Sequence, residues 1–151
     1  VEPGGQLGRP HIATAMVKQG HVKSINDAFD RFLGTGKPAY VDKERLGCAE
    51  AIATIRKAGG IAVLAHPLKY KLTRTRLKRL LDTFIRSGGQ GMEVVSGQQM
   101  PQQTRDMAEL CEQKNLLASC GSDFHMPGKP WAELGAFSSM PDNLTPVWDR
   151  F

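Results

Sequence analysis

No stretch of this chain is long and apolar enough to span a bilayer, and none reads as a secretion signal. Cysteine is scarce. Cys48, Cys111 and Cys120 are odd in number and show no C-x-x-C spacing, so reduced, buried thiols in a cytoplasmic protein are expected rather than a disulfide framework. Aromatic residues make up only 7% and are not interleaved with the charges, which argues against a base-stacking surface. Histidine is confined to His11, His21, His66 and His125. Acidic residues are outnumbered 20 to 15 by Lys and Arg, and the excess favours anionic partners.

What is present suits an ordinary globular domain. The chain has 151 residues, 40% hydrophobic and 23% charged, enough for one domain or a small domain with an appendage, with a real core. The opening VEPGGQLGRP reads as loop from the middle of a protein. The basic excess is concentrated between Lys69 and Arg79, where Lys69, Lys71, Arg74, Arg76, Lys78 and Arg79 occur with no acidic residue. On charge alone this is a solvated helix face; its functional reading is a phosphate-attracting patch beside a site.

Two short helices are expected first. RPHIATAMVKQG has Pro10 in its first turn and stops at Gly20, and SINDAFDRFLG has Ser24 as N-cap and stops at Gly34. After a loop from Gly34 to Gly47 the pattern changes. CAEAIATIRKAGG, TRTRLKRLLDTFIRSGG and PQQTRDMAELCEQKN read as helices, and IAVLA, GMEVV and LLASC as short strands between or after them. Alternating helices and wholly apolar strands predict an α/β unit with a parallel sheet covered on both faces.

The strand ends carry the chemistry. IAVLA runs into His66-Pro67, GMEVV carries Glu93 and runs into Ser96-Gly97-Gln98, and LLASC runs into Gly-Ser-Asp123-Phe-His125. In α/β folds the loops beyond the carboxyl ends of strands hold the active groups. Each feature alone has a plainer reading: a loop histidine before proline, a turn-capping aspartate. Glu93 in an apolar strand needs a partner, either a His or Lys that it orients or an ordinary buried ion pair. Together the three ends favour a site, and carboxylate with imidazole suits zinc, manganese or iron. The side chains of Asp123 and His125 are expected to point apart and to serve neighbouring ions rather than chelate one.

These motifs, GGIAVLAHP, GMEV and GSDFHMPGKPWAELG in order, resemble the PHP (polymerase and histidinol phosphatase) metal-dependent phosphoesterases. GRPHIATAMV and FLGTGKPAYV resemble the TrpH-like branch, which includes nucleoside 3′,5′-bisphosphate phosphatases and a 5′–3′ exoribonuclease. The resemblance implies a distorted (β/α)7 barrel with two or three divalent metals, manganese, zinc or iron. It implies His66, Asp123 and His125 as ligands of different ions, acting in catalysis through the metal. Arg9, His11 and Lys69 would line the substrate side, with Ser96 and Gln98 as further contacts. Lys69 stands where relatives often have Arg, which keeps the charge and loses the bidentate fork. Residues 1–46 would be a helical insertion and its return linker, and residues 47–151 the C-terminal half of the barrel.

The family's first His-x-His motif, its following Asp and His, its bridging Glu and a further His are absent here. The chain therefore resembles the C-terminal half alone. The whole protein would hydrolyse nucleoside 3′,5′-bisphosphates or release nucleotides from RNA 5′ ends, whereas this piece would bind metal weakly and turn over little. The other reading is a non-catalytic nucleic-acid or phosphate-binding module that uses Lys69 to Arg79, with Phe124 and Trp131 as stacking platforms. Half a barrel exposes strand edges, so the piece is expected to associate with itself or to need its missing half. Light scattering at high concentration is expected to show species heavier than a monomer, and a clean monomer would contradict this.

Overall fold

The computed structural model describes residues 7–42, 46–125, 127–128 and 133–150. It divides into two compact units, Val1–Arg45 and Leu46–Phe151.

The first unit is helical. Helix α1 spans Arg9–Lys18 and α2 spans Ile25–Ala28, followed by a π-helical turn at Phe29–Leu33. Ser24 caps α2 as the sequence suggests, its hydroxyl accepting the Asp27 N–H at 3.1 Å. The SINDAFDRFLG helix widens in its second half, where the Gly34 N–H reaches back five residues to Phe29 O at 2.8 Å. Ala13, Val22, Ala28 and Leu33 form a small core of their own.

The second unit alternates as expected: α3 (Cys48–Lys57), β1 (Val63–Leu64), α4 (Arg74–Arg86), β2 (Gly91–Ser96), α5 (Pro101–Gln113) and β3 (Leu117–Gly121). The strands form one sheet in the order β1-β2-β3, and both pairings are parallel. Thr73 caps α4 by accepting the Arg76 N–H, and Leu77, Leu81 and Phe84 are buried along the helix as its periodicity predicts. Leu77 and Leu81 meet Met92, Val94 and Val95 of β2, Leu110 and Cys111 of α5, and Ala118 of β3, whereas Phe84 packs with Ile52 of α3 and Ala62. A bulge lies between Glu93 and Val95: Glu93 pairs with Ser119, and Val95 with Cys120. The extra residue lets two successive valines enter the core, which strict alternation would forbid.

Three expectations need correction. IAVLA was expected to be a strand throughout, but only Val63 and Leu64 pair with β2. β1 has no neighbour on its outer side among the described residues, and the chain leaves the sheet at His66, where φ is 34°. The sheet is not equally covered on both faces. Met92, Val94 and Ala118 face the helices, whereas Val63, Glu93, Leu117 and Ser119 are only partly buried. Cys48 is exposed rather than buried, because α3 buries only Ile52.

Beyond β3, the Ala118 N–H donates to Thr145 O at 2.9 Å, and Ala118 bridges Pro146 in parallel. No helix of the described residues is long and apolar enough to cross a membrane.

The cysteines give a direct check of this packing. Cys111 is fully buried, its Sγ donates to Leu116 O at 3.2 Å, and burial pushes its thiol up to about 11. In native protein at pH 8, Cys48 is expected to react with a thiol reagent within minutes and Cys111 only on unfolding. Equal rates for the two thiols would show that the α5–sheet core is not closed.

Candidate functional site

The site forms where β1 and β3 end. His66 follows β1 with φ 34°, and Asp123 follows β3 with φ 53°. Both are left-handed conformations that non-glycine residues rarely adopt and that cost about 1–3 kcal/mol each. Such strain persists only where surrounding contacts enforce it. At His66 the contacts are visible. Its N–H donates to Glu93 Oε2 at 2.5 Å, and its carbonyl accepts the Lys69 N–H at 2.9 Å, which closes a 3₁₀ turn over Pro67–Tyr70. The Tyr70 ring meets the imidazole edge-on at 5.8 Å, with its hydroxyl fixed to Ala65 O at 2.8 Å. His66 Nδ1 is buried and has no hydrogen-bond partner among the described residues.

The side chains of Asp123 and His125 do not point apart as expected: residues two apart share a face even in an extended segment, and the left-handed turn at Asp123 also leaves the pair adjacent. The chain is bent rather than extended there. His125 Nδ1 lies 2.8 Å from the Asp123 carbonyl oxygen and 3.6 Å from Asp123 Oδ1. Lys69 Nζ donates to Asp123 Oδ2 and links the two strand ends. That bond, above all, holds the Asp123 carboxyl below its ordinary 3.8; partial burial opposes it, and the Lys69, His125 and His66 charges add to it. Glu93 sits between them, half-buried. Burial pushes its carboxyl above the ordinary 4.5 and Asp123 adds to the push, while the His66 N–H, the His66 ring and Lys69 oppose it.

The remaining candidates lie elsewhere. Ser96 ends β2 with its Oγ buried and without a partner among the described residues, so the hydroxyl does not face solvent, whereas Gln98 is exposed. Sequence reasoning passed over Gln99, which shapes this loop: its amide donates to Val94 O at 2.8 Å and Thr104 Oγ1 at 2.9 Å, and its oxygen accepts the Ser96 N–H at 3.2 Å. Tyr70 was also passed over, although its place four residues after His66, on the same turn, could have flagged it. Arg9 and His11 belong to the first unit. Arg9 donates to Leu33 O at 3.2 Å and stacks over Phe29 and Tyr40, and His11 Nδ1 accepts the Gly8 N–H at 3.0 Å. Within the basic stretch, Lys69 is bound to Asp123 and Arg74 to Glu109 at 2.8 Å, so two of its charges are matched. Trp131 lies outside the described residues.

The donor types fit a divalent metal: an orphaned imidazole nitrogen at His66 and an adjacent carboxylate–imidazole pair. Among the described residues, no three His, Cys, Asp or Glu side chains gather around a single point.

No protein-family model matches the chain. It is 40% identical over 147 residues to a 5′–3′ exoribonuclease of Haemophilus influenzae, covering 97% of this chain and 53% of that protein. To a 3′,5′-nucleoside bisphosphate phosphatase of Chromobacterium violaceum it is 37% identical over 142 residues, covering 94% and 50%. The chain is a homologue of these two hydrolases over about half their length. Solved structures agree. An amidohydrolase from Chromobacterium violaceum with bound sulfate superposes with a TM-score of 0.79 at 37% identity, covering 94% of this chain and 49% of that one. A metal-dependent phosphoesterase from Bifidobacterium adolescentis gives 0.66 at 30% identity, covering 95% and 50%. The chain spans about half the length of the curated relatives it matches.

The Lys69–Asp123 contact is testable. A carboxyl whose folded value lies below its unfolded one stabilises the fold above the unfolded value, and that contribution fades as pH drops through the folded value. Lys69→Met is expected to raise the Asp123 midpoint, followed by carboxyl-carbon NMR, toward 3.8. The ammonium is about half exposed, so the stability lost at pH 7 is expected to stay below about 1 kcal/mol and to vanish in acid. An unmoved midpoint would show that Lys69 does not hold the carboxylate.

Proposed function

We propose that this chain is the C-terminal half of a PHP barrel and that the whole protein is a metal-dependent phosphoester hydrolase. Its substrates are nucleoside 3′,5′-bisphosphates, RNA 5′ ends or both. The observation that carries the reading is an imidazole after β1 and a carboxylate–imidazole pair after β3, with His66 and Asp123 both held in left-handed backbone. The names of the homologues, an exoribonuclease and a bisphosphate phosphatase, support the substrate class.

In this reading His66, Asp123 and His125 hold divalent cations, manganese, zinc or iron, two or three in the whole protein. Such cations, when bound, supply Lewis-acid chemistry toward a phosphate and a water. The chain's own residues do the rest. Asp123 stays ionised because Lys69 and the two imidazoles favour its charged form. Lys69, on the turn after His66, offers a point charge to a phosphate oxygen, and a single ammonium grips less rigidly than an arginine fork. Arg9 and His11 are assigned to the substrate side. The guanidinium keeps further donors beyond the one spent on Leu33 O. Gln98 is the more accessible of the two β2-end candidates, since Ser96 Oγ is buried. Three free thiols fit a cytoplasmic setting.

The reading also implies that this half is insufficient, because among the described residues no three ligand side chains gather around one point. In the whole protein, Asp123→Ala is expected to cut hydrolysis of 3′-phosphoadenosine 5′-phosphate by more than about a hundredfold, beyond the loss typical of residues that only support a metal ligand. The 151-residue chain alone is expected to turn over little. Wild-type turnover by the Asp123→Ala protein, or metal-independent RNA binding without hydrolysis, would favour the binding-module reading through Lys69 to Arg79.

A further inference from the structure

We infer that Glu93 is a positioning residue: by binding the peptide N–H of His66, it fixes the left-handed turn that aims the His66 imidazole toward the cation position. What the imidazole is aimed at rests on the phosphoesterase reading; the anchor itself does not.

A carboxylate in the middle of an apolar strand would be expected to pair with a cationic side chain. Glu93 makes no ion pair among the described residues. Instead Glu93 Oε2 takes the His66 N–H at 2.5 Å, across the sheet from a residue 27 positions earlier. That donor sits at the point where β1 stops. His66 is thereby fixed on both sides, with its N–H on Glu93 and its carbonyl on the Lys69 N–H. Pro67 follows with its own φ restricted, so little freedom remains in the turn. A left-handed histidine needs such constraint, because the conformation is unfavourable by itself.

The neighbouring strand passes close to the anchor. Gly121, registered opposite Ser96 on β3 and two residues before Asp123, would place a Cβ 3.5 Å from Glu93 Oε1, an ordinary van der Waals contact. Burial of the carboxylate is costly for a charge and is not offset by a salt bridge, so the group's value lies in the bond it makes. From the sequence, Glu93 is expected either to orient a His or Lys or to form an ordinary buried ion pair; the atom it holds belongs to the backbone. A peptide anchor sets the direction of the imidazole while leaving both ring nitrogens unused by Glu93.

The test uses ¹⁵N-labelled 151-residue chain with Mn²⁺ alone as probe. The His66 amide is expected to exchange slowly, although the turn around it is partly exposed. Glu93→Ala is expected to speed that exchange by about tenfold or more, as for loss of a charge-assisted hydrogen bond. It is also expected to weaken Mn²⁺ broadening of the His66 ring signals relative to that of Asp123 and His125. Glu93→Gln, which keeps an acceptor oxygen, is expected to restore both and guards against a Glu93→Ala chain that fails to fold. Unchanged exchange and broadening in Glu93→Ala overturn the inference, as does failure of Glu93→Gln to restore them while folded. No broadening of any of the three residues in wild type, with slow Glu93-dependent exchange, would overturn the aim of the imidazole toward a cation in this chain and keep the anchor.

Discussion

One hydrogen bond joins the edge strand to the central strand at the point where the edge strand ends. The His66 N–H and the Glu93 carboxylate are brought together only because β1 and β2 are parallel and paired at Val63–Gly91 and Leu64–Met92. Two residues further along, the chain must turn, and the direction of that turn decides where an imidazole goes. Parallel pairing also sends β3 out in the same direction, so Asp123 and His125 emerge on the same side. The sheet therefore acts as an aligning device. It contributes no reactive group beyond Glu93, yet every candidate ligand owes its place to it.

Charge at this locus is arranged around the carboxylates. Asp123 is matched by Lys69, and its ionised form is favoured. Glu93, deeper and without an ammonium of its own, is pushed the other way by burial. Two acids close enough to affect each other are thus driven apart in proton affinity by their surroundings. Lys69 contributes twice: its backbone N–H closes the turn at His66, and its side chain crosses to the end of β3.

Much of the second unit was legible. The stripe Leu77, Leu81 and Phe84 follows from short-range periodicity, as the Ser24 cap of the first unit follows from local hydrogen bonding. Helix–strand alternation was enough for the parallel order, because parallel strands need long crossovers. What failed was set by distant partners or by single backbone angles. The length of IAVLA as a strand depends on how much of it finds β2, which its own residues do not encode. Asp123 and His125, two residues apart, would share a face even in an extended chain, and the left-handed φ that sets their contact is one an aspartate permits without announcing. Glu93 was visible as an anomaly, but its partner, a peptide N–H, has no signature in a side-chain sequence.

The bridge between Ala118 and Pro146 has a consequence for how the sheet can grow. Since the Ala118 N–H is given to Thr145 O, the backbone nitrogen of residue 146 is turned to the outer side. Proline has no hydrogen there, so a strand arriving along that border finds one donor missing. The outer border of β1 carries no such gap at Val63 or Leu64. Extension is thus easier at one flank than at the other, and the molecule has a preferred side for acquiring its next strand.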